Sequence, residues 1–375
     1  MTQQYKFKII QVLNKLNKMA KKKEEEKSLN IQEILDGLNK TLKTNVQFAN
    51  SGKGLDVERI RTGSITFDAS TGGGFPVGRH VCLFGPESSG KTTSALMAVA
   101  EFQKTDDNRY GLFIDGEFAF DKKYAKALGV DLSRLIVIQP DHTNQAQEVL
   151  LDLLRKDIIG IFVFDSIAAV QPISVLENDS DASNMGKHAL AIGNIFKACN
   201  GLVSKNKVCA IWINQVRDKI GGYGGGYNLP GGLAPKFYCS IMIQVNRGTK
   251  IDNPDGSHTN RGSIYVTKNK TFPPYKKGEY DMEHGTGISI SQEVLDYGIS
   301  TNVLYKVGNT FYYDETGKND SSKIGDHIKL GGTKSAAKGL LNDNIELRDL
   351  LYLRIIDSLT NNYNDEELEI LEQRD

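Results

Sequence analysis

The stretch GPESSGKTT, Gly85 to Thr93, lies between the apolar run HVCLF and the run SALMAVAEFQ. It satisfies G-x-x-x-x-G-K-[S/T] with the flanks that motif requires, a strand before it and a helix after it. Gly85, Pro86, Glu87, Ser88, Ser89 and Gly90 form a loop of mostly small residues. Its successive backbone N–H groups, with the helix N-terminus behind them, make a cradle for an anion. Lys91 supplies a mobile charge for β- and γ-phosphates. The Thr92 hydroxyl suits Mg²⁺, a hard cation that takes oxygen ligands, and Thr93 follows it on the first helical turn. The chemistry indicated is the binding of a nucleoside triphosphate.

Such a loop needs a second carboxylate on the metal side, from the end of a neighbouring strand. GIFVFDS supplies it, because Asp165 closes an apolar run and Ser166 follows. Hydrolysis also needs a group that orients or deprotonates water. LFIDGEFAFD places Glu117 just beyond a strand, beside Asp115. Glu117 can serve as the water-activating base. Taken alone, acidic residues after a strand are common, and this reading of Glu117 stands even with the plain one. An Asp at a strand end, such as Asp165, can also be a helix cap.

The rest of the chain must position these groups. With 375 residues, 39% hydrophobic and 25% charged, the composition suits one large globular domain with one or two small ones. No apolar run approaches the ~20 residues of a membrane span, and FKIIQVLNKLNKM lacks the uninterrupted apolar core of a secretory signal. Cys82, Cys199, Cys209 and Cys239 sit in apolar contexts without paired C-x-x-C spacing. They read as reduced core residues of a cytoplasmic protein (the host's cytoplasm, if the chain is viral). Formal net charge is zero, so any nucleic-acid site must be local. The ends are of opposite sign: residues 1–29 hold eight lysines and three glutamates, and the last fifteen residues hold six acids and one arginine.

Five segments follow from these patterns. Residues 1–28 are a basic extension, and 29–64 hold a helix and linker. From 65 to 290, apolar strand-like runs alternate with helical stretches, which predicts an α/β fold with a mainly parallel central sheet covered by helices. The later strands follow each other closely, so part of that sheet is antiparallel. Residues 291–360 read as a small C-terminal α/β domain ending in a helix, and 361–375 as an acidic tail.

GPESSGKTT, FIDGEFAFDKKYAKALGVD, FVFDSIAAVQP, NMGKHA, INQVRDKIG, GGLAPKFYCS and VTKNK occur in the order and spacing of bacterial RecA recombinases. The chain resembles that family over roughly residues 50–350, possessing the look of a divergent or phage-type version. The resemblance implies ATP and Mg²⁺ as ligands, a RecA-type ATPase core and DNA-dependent ATP hydrolysis coupled to strand exchange. By position, Lys91 and Thr92 match the nucleotide and magnesium contacts, Glu117 the catalytic glutamate and Asp165 the second magnesium-side acid. Asp121 and Tyr124 match residues that hold the adenine. Gln215 of INQVR matches the γ-phosphate sensor that signals to a DNA loop. Lys268 and Lys270 match lysines that reach a neighbouring subunit's ATP. An ATP held between subunits implies a head-to-tail assembly, which forms an open helical filament when the rotation does not close.

DKIGGYGGGYNLPGG, Asp218 to Gly232, is a glycine-rich loop inside the sheet domain. Long loops within compact domains are typically functional or disordered, and this one matches a RecA loop that orders on single-stranded DNA. Tyr223 and Tyr227 are candidates to wedge against bases, Arg217 and Lys219 to meet phosphates, and Gly231 and Gly232 are further DNA-binding candidates. A second matching loop runs through ENDSDASNMGKH, where Met185, Gly186 and Lys187 are the candidates. It is acidic, and Leu190 stands where the family has arginine.

The implied function is a recombinase of DNA repair and the SOS response. Its partners are single-stranded DNA, homologous duplex and copies of itself, with room for a loading mediator or a single-strand-binding protein. Two other classes share the core: a ring-forming helicase or motor, and an accessory paralogue that binds recombinase filaments.

Overall fold

The structure, a computed structural model, describes residues 31–42, 46–49, 57–176, 181–218, 227–252, 258–283, 285–319 and 321–372. Residues 1–28 therefore lie outside the described residues. Two units divide the chain, Met1–Val57 and Glu58–Asp375. In the first, residues 31–42 form a helix. Gln32 donates to Asp36 one turn on, and Asn39 donates to the Val46 carbonyl.

The second unit is built on strands. A short pair, β1 (Arg59–Ile60) and β2 (Phe75–Pro76), precedes β3 (His80–Gly85), β4 (Tyr110–Asp115), β5 (Leu135–Ile138), β6 (Ile159–Asp165) and β7 (Cys209–Gln215). A two-stranded ribbon of β8 (Arg217–Asp218) and β9 (Tyr227–Asn228) follows. Next come β10 (Ile241–Asn246), β11 (Lys250–Asp252), β12 (His258–Asn269), β13 (Lys277–Glu283) and β14 (Gly287–Ile288). The central sheet runs β14-β13-β12-β10-β3-β7-β6-β4-β5, with β11 paired to β12. From β10 to β5 the pairs are parallel, and from β10 to β14 they are antiparallel. This is the mainly parallel sheet with an antiparallel part that the sequence predicts.

Continuous apolar strands such as IGIFVFD form because both faces of the sheet are covered. Strand alternation divides them. Val81 and Leu83 pack with Ala95, Val99 and Phe102 of the helix Lys91–Thr105. Cys82 and Phe84 face the other cluster, with Leu150 of the helix Thr143–Arg155 and Phe196 of the helix Asp181–Lys205. Trp212, fully buried, stacks on Phe196 at 4.0 Å between ring centroids and donates from Nε1 to His80 Nδ1 at 3.0 Å.

A third apolar cluster holds the C-terminal part. It joins the helix Ile290–Ser300, an antiparallel sheet of β15 (Leu304–Val307), β16 (Thr310–Tyr313) and β17 (Ile328–Gly331), and the helices Lys334–Asp343 and Ile345–Glu372. Two buried acids fasten this part to the short helix Ile65–Thr71. Glu293 accepts from Ser64 Oγ and from the backbone N–H of Ile65, both at 2.8 Å, and from that of Thr66 at 3.3 Å. Asp68 accepts from the Tyr352 hydroxyl and from both the N–H and hydroxyl of Thr62. Burial pushes Glu293 up to about 7 and Asp68 up to about 6, although these donors pull the other way.

A carboxyl whose folded value is raised binds its proton more tightly in the native state. Its contribution is complete below the ordinary glutamate value of 4.5 and is lost as pH rises toward 7. Unfolding in urea at pH 5 and pH 7.5 checks this. Wild type is expected to lose about 1–3 kcal/mol more than Glu293→Gln across that interval. An equal loss in the two proteins would show that Glu293 does not set the slope.

Candidate nucleotide and DNA site

Polar side chains gather where the buried strands end. In register, Asp115 of β4 is level with Asp165 of β6, and Gly85 of β3 with Gln215 of β7. The phosphate loop, the second acid and Gln215 therefore open on one edge of the sheet.

The loop is pressed against its neighbours. A Cβ on Gly85 would stand 2.0 Å from the Val245 carbonyl oxygen of β10, so no larger residue fits without backbone movement. Gly90 caps the helix at φ 93°, a left-handed value that favours glycine. The Tyr280 hydroxyl donates to the Ser89 carbonyl at 3.1 Å, and Met282 lies against Gly90. Both come from β13, far along the chain, and nothing local in the sequence signals them. Pro86, Glu87 and Ser88 form the exposed rim.

Lys91 is buried and folds over the loop. Its Nζ donates to the carbonyls of Pro86 at 2.6 Å and Gly85 at 3.2 Å. Burial lowers its pKa, opposed by Asp165, Glu117 and Glu87. One residue on, Thr92 Oγ1 donates to Asp165 Oδ2 at 2.5 Å. Burial pushes the Asp165 carboxyl up to about 6, with the Thr92 bond opposing and the Glu117 charge adding. A hydroxyl and a carboxylate meeting beside a phosphate cradle are the oxygen donors a hard divalent cation takes, so the residues present fit one. Among the described residues, no group of three or more His, Cys, Asp or Glu forms a separate metal centre.

Glu117 is exposed beyond β4, and its Oε1 accepts from Gln215 Nε2 at 2.7 Å. This bond joins two expected residues that lie far apart in sequence. Asp121 caps the helix Lys122–Ala127, accepting from the N–H groups of Lys123 and Tyr124. The Tyr124 hydroxyl meets the Thr93 hydroxyl at 2.8 Å. Asp121 and Tyr124 line a cavity of about 620 Å³ with Asn260, Met282 and Glu283. Met282 thus borders both this cavity and the phosphate loop.

Lys268 and Lys270 do not join this cluster. Lys268 is level with Met242 of β10, itself level with Cys82 in mid-β3, and the Lys270 N–H donates to the Ser240 carbonyl. Both lysines sit toward the start of the parallel strands, away from the edge that carries Lys91. Burial and the neighbouring Lys270 lower the Lys268 pKa.

Among the described residues, the candidate DNA residues fall in two places along the chain, after β7 and at the start of the helix Asp181–Lys205. Arg217 and Tyr227 lie on the β8–β9 ribbon, paired with Asn228 and Asp218 respectively. Lys219 and Tyr223 lie outside the described residues. Met185 and Gly186 are exposed on the first turns of the helix Asp181–Lys205, and Lys187 reaches the Ser174 carbonyl. Gly231 and Gly232 both have positive φ, and a Cβ on Gly232 would crowd Ala189 at 2.9 Å. Asn214 donates to the Pro230 carbonyl at 2.9 Å and anchors that end of the loop to β7. Both candidate loops therefore spring from one region. Among the described residues, no helix is long and apolar enough to cross a membrane.

Comparison with known proteins agrees with this geometry. The RecA N-terminal domain family matches residues 30–289. Protein RecA of Porphyromonas gingivalis is 38% identical over 311 residues, covering 82% of this chain and 87% of its own. Protein RecA of Clostridium novyi is 42% identical over 264 residues, covering 70% and 75%. Protein RecA of Cytophaga hutchinsonii is 38% identical over 334 residues, covering 88% and 90%. With its phosphate loop, its row of polar strand ends and these matches, the chain belongs to the RecA family.

Proposed function

We propose that this protein is an ATP-dependent recombinase that coats single-stranded DNA as a head-to-tail filament, pairs it with homologous duplex and exchanges strands. The observation that carries the reading is the Glu117–Gln215 hydrogen bond of 2.7 Å. It ties the acid beside the phosphate cradle to the strand that continues into the β8–β9 ribbon. A change at the nucleotide is thereby transmitted to the loop assigned to DNA.

In this reading the backbone from Pro86 to Gly90 holds the phosphates, and Lys91 exchanges its loop carbonyls for β- and γ-oxygens. Asp121 and Tyr124 take the adenine. Thr92 and Asp165 would hold Mg²⁺, which when bound would neutralise charge developing on the phosphates. Glu117 orients the attacking water and accepts its proton, and Gln215 holds Glu117 until the γ-phosphate competes for the bond. Lys268 and Lys270 serve the ATP of the adjacent copy, which their distance from their own loop supports. Met185, Gly186, Lys187, Arg217, Lys219, Tyr223, Tyr227, Gly231 and Gly232 form the DNA surface.

The division of labour follows the same scheme. Residues 29–64 pack between subunits, 65–290 bind ATP and DNA, 291–360 form the small C-terminal domain, and the acidic 361–375 screen the duplex-binding face. The protein works in the cytoplasm, with a loading mediator or single-strand-binding protein as a further partner.

ATP hydrolysis measured with and without single-stranded DNA tests the function. Wild type is expected to show strong stimulation by DNA, and Lys91→Ala to show none. Turnover indifferent to DNA in wild type would overturn the recombinase reading. Glu117→Gln is expected to lower turnover about 10²–10⁴-fold while ATP-dependent filaments on DNA persist by electron microscopy. Closed rings in place of filaments would favour a motor instead.

A further inference from the structure

We propose that Asp115, held in turn by Gln139, is the positioning residue that fixes Glu117 for its part in hydrolysis; this rests on the ATPase reading above. Asp115 ends β4 and is 2% exposed. Its Oδ1 accepts from the Ala119 N–H at 3.1 Å, and its Oδ2 from the Phe120 N–H at 3.0 Å. Gln139 Nε2 donates to the same Oδ2 at 2.8 Å. Gln139 follows directly on β5, which pairs with β4 in register. The carboxylate thus closes a loop over itself, from the residue before Gly116 to the two residues after Phe118.

The other side of that loop is clamped as well. The Gly116 N–H donates to the Asp165 carbonyl at 2.7 Å, and a Cβ on Gly116 would lie 2.3 Å from a Val170 methyl. Phe120 packs its ring on Phe113 at 5.1 Å. Only Glu117, Phe118 and Ala119 remain exposed within the loop. Phe118 holds φ 56°, a left-handed backbone that is unfavourable for a non-glycine residue. Such a conformation persists only where its surroundings over-determine it, and the Asp115 bonds flank it. Released from them, the loop relaxes at Phe118, and the adjacent Glu117 carboxylate leaves its bond with Gln215. Asp165 stands in register beside Asp115 on the neighbouring strand, and its carboxyl feels the charges of Asp115 and Glu117.

The test compares wild type with Asp115→Asn, Gln139→Met and Glu117→Gln, and includes the Asp115→Asn/Glu117→Gln double variant. Asp115→Asn is expected to lower kcat for DNA-stimulated ATP hydrolysis about tenfold or more, as a misplaced group does. KM for ATP and the affinity for a fluorescent ATP analogue should stay within about threefold. Gln139→Met should shift kcat in the same direction by a smaller factor. In the Glu117→Gln background, Asp115→Asn should add no further loss, because its effect passes through Glu117.

A purely structural role would lower nucleotide affinity along with kcat and would add to Glu117→Gln. That result, or an unchanged kcat in the folded variants, overturns the inference. If Asp115→Asn does not fold, Gln139→Met decides by the same criteria. Absence of ATP hydrolysis in wild type overturns the ATPase reading and this inference together, whereas an active wild type with unaffected variants overturns this inference alone.

Discussion

A sheet covered on both faces leaves its strands no room for polar side chains except at their ends. In this protein that constraint governs everything else. From β3 across to β4 the strand interiors are mostly apolar, and at their ends stand Gly85 with its loop, Asp115, Asp165 and, after the buried Asn214, Gln215. Parallel pairing brings these ends to one edge. The site is built from residues scattered over 130 positions of sequence because they share a direction of exit from the core.

The same edge balances its charges closely. Lys91 is buried with three carboxylates nearby, Asp165, Glu117 and Glu87, and is held by backbone carbonyls. Asp165 is buried enough to resist ionisation, yet it accepts from Thr92 and feels Lys91. A nucleotide phosphate and a divalent cation would add one charge of each sign to this set. Farther away, Glu293 and Asp68 show the opposite arrangement: buried acids with donors on both oxygens, fastening the C-terminal part to the helix Ile65–Thr71.

How much of this the sequence revealed depended on whether the signal was local. The phosphate loop was legible because backbone geometry demands glycines at fixed spacing within nine residues. Asp165 was legible as an acid closing an apolar run. Glu117 was ambiguous on its own, because the hydrogen bond that distinguishes it comes from Gln215, 98 residues away. Tyr280 bonds the loop across 191 residues, and Tyr352 reaches Asp68 across 284. No periodicity or motif encodes such contacts; they follow from sheet register and helix docking. The antiparallel extension was foreseen from short connections, but not that its side chains would back the phosphate loop.

The placement of β12 has a consequence for counting. Lys268, near its end, and Lys270, just after it, sit toward the start of the parallel strands, away from the edge that holds their own phosphate loop. If they complete the site of the next copy, a row of n molecules contains n − 1 complete sites, and an isolated molecule contains none. Activity then belongs to the junction. The terminal molecule at one end of every row carries an incomplete site, so the two ends differ chemically although every chain is identical. Polarity of growth and loss along the row would arise from sheet order alone.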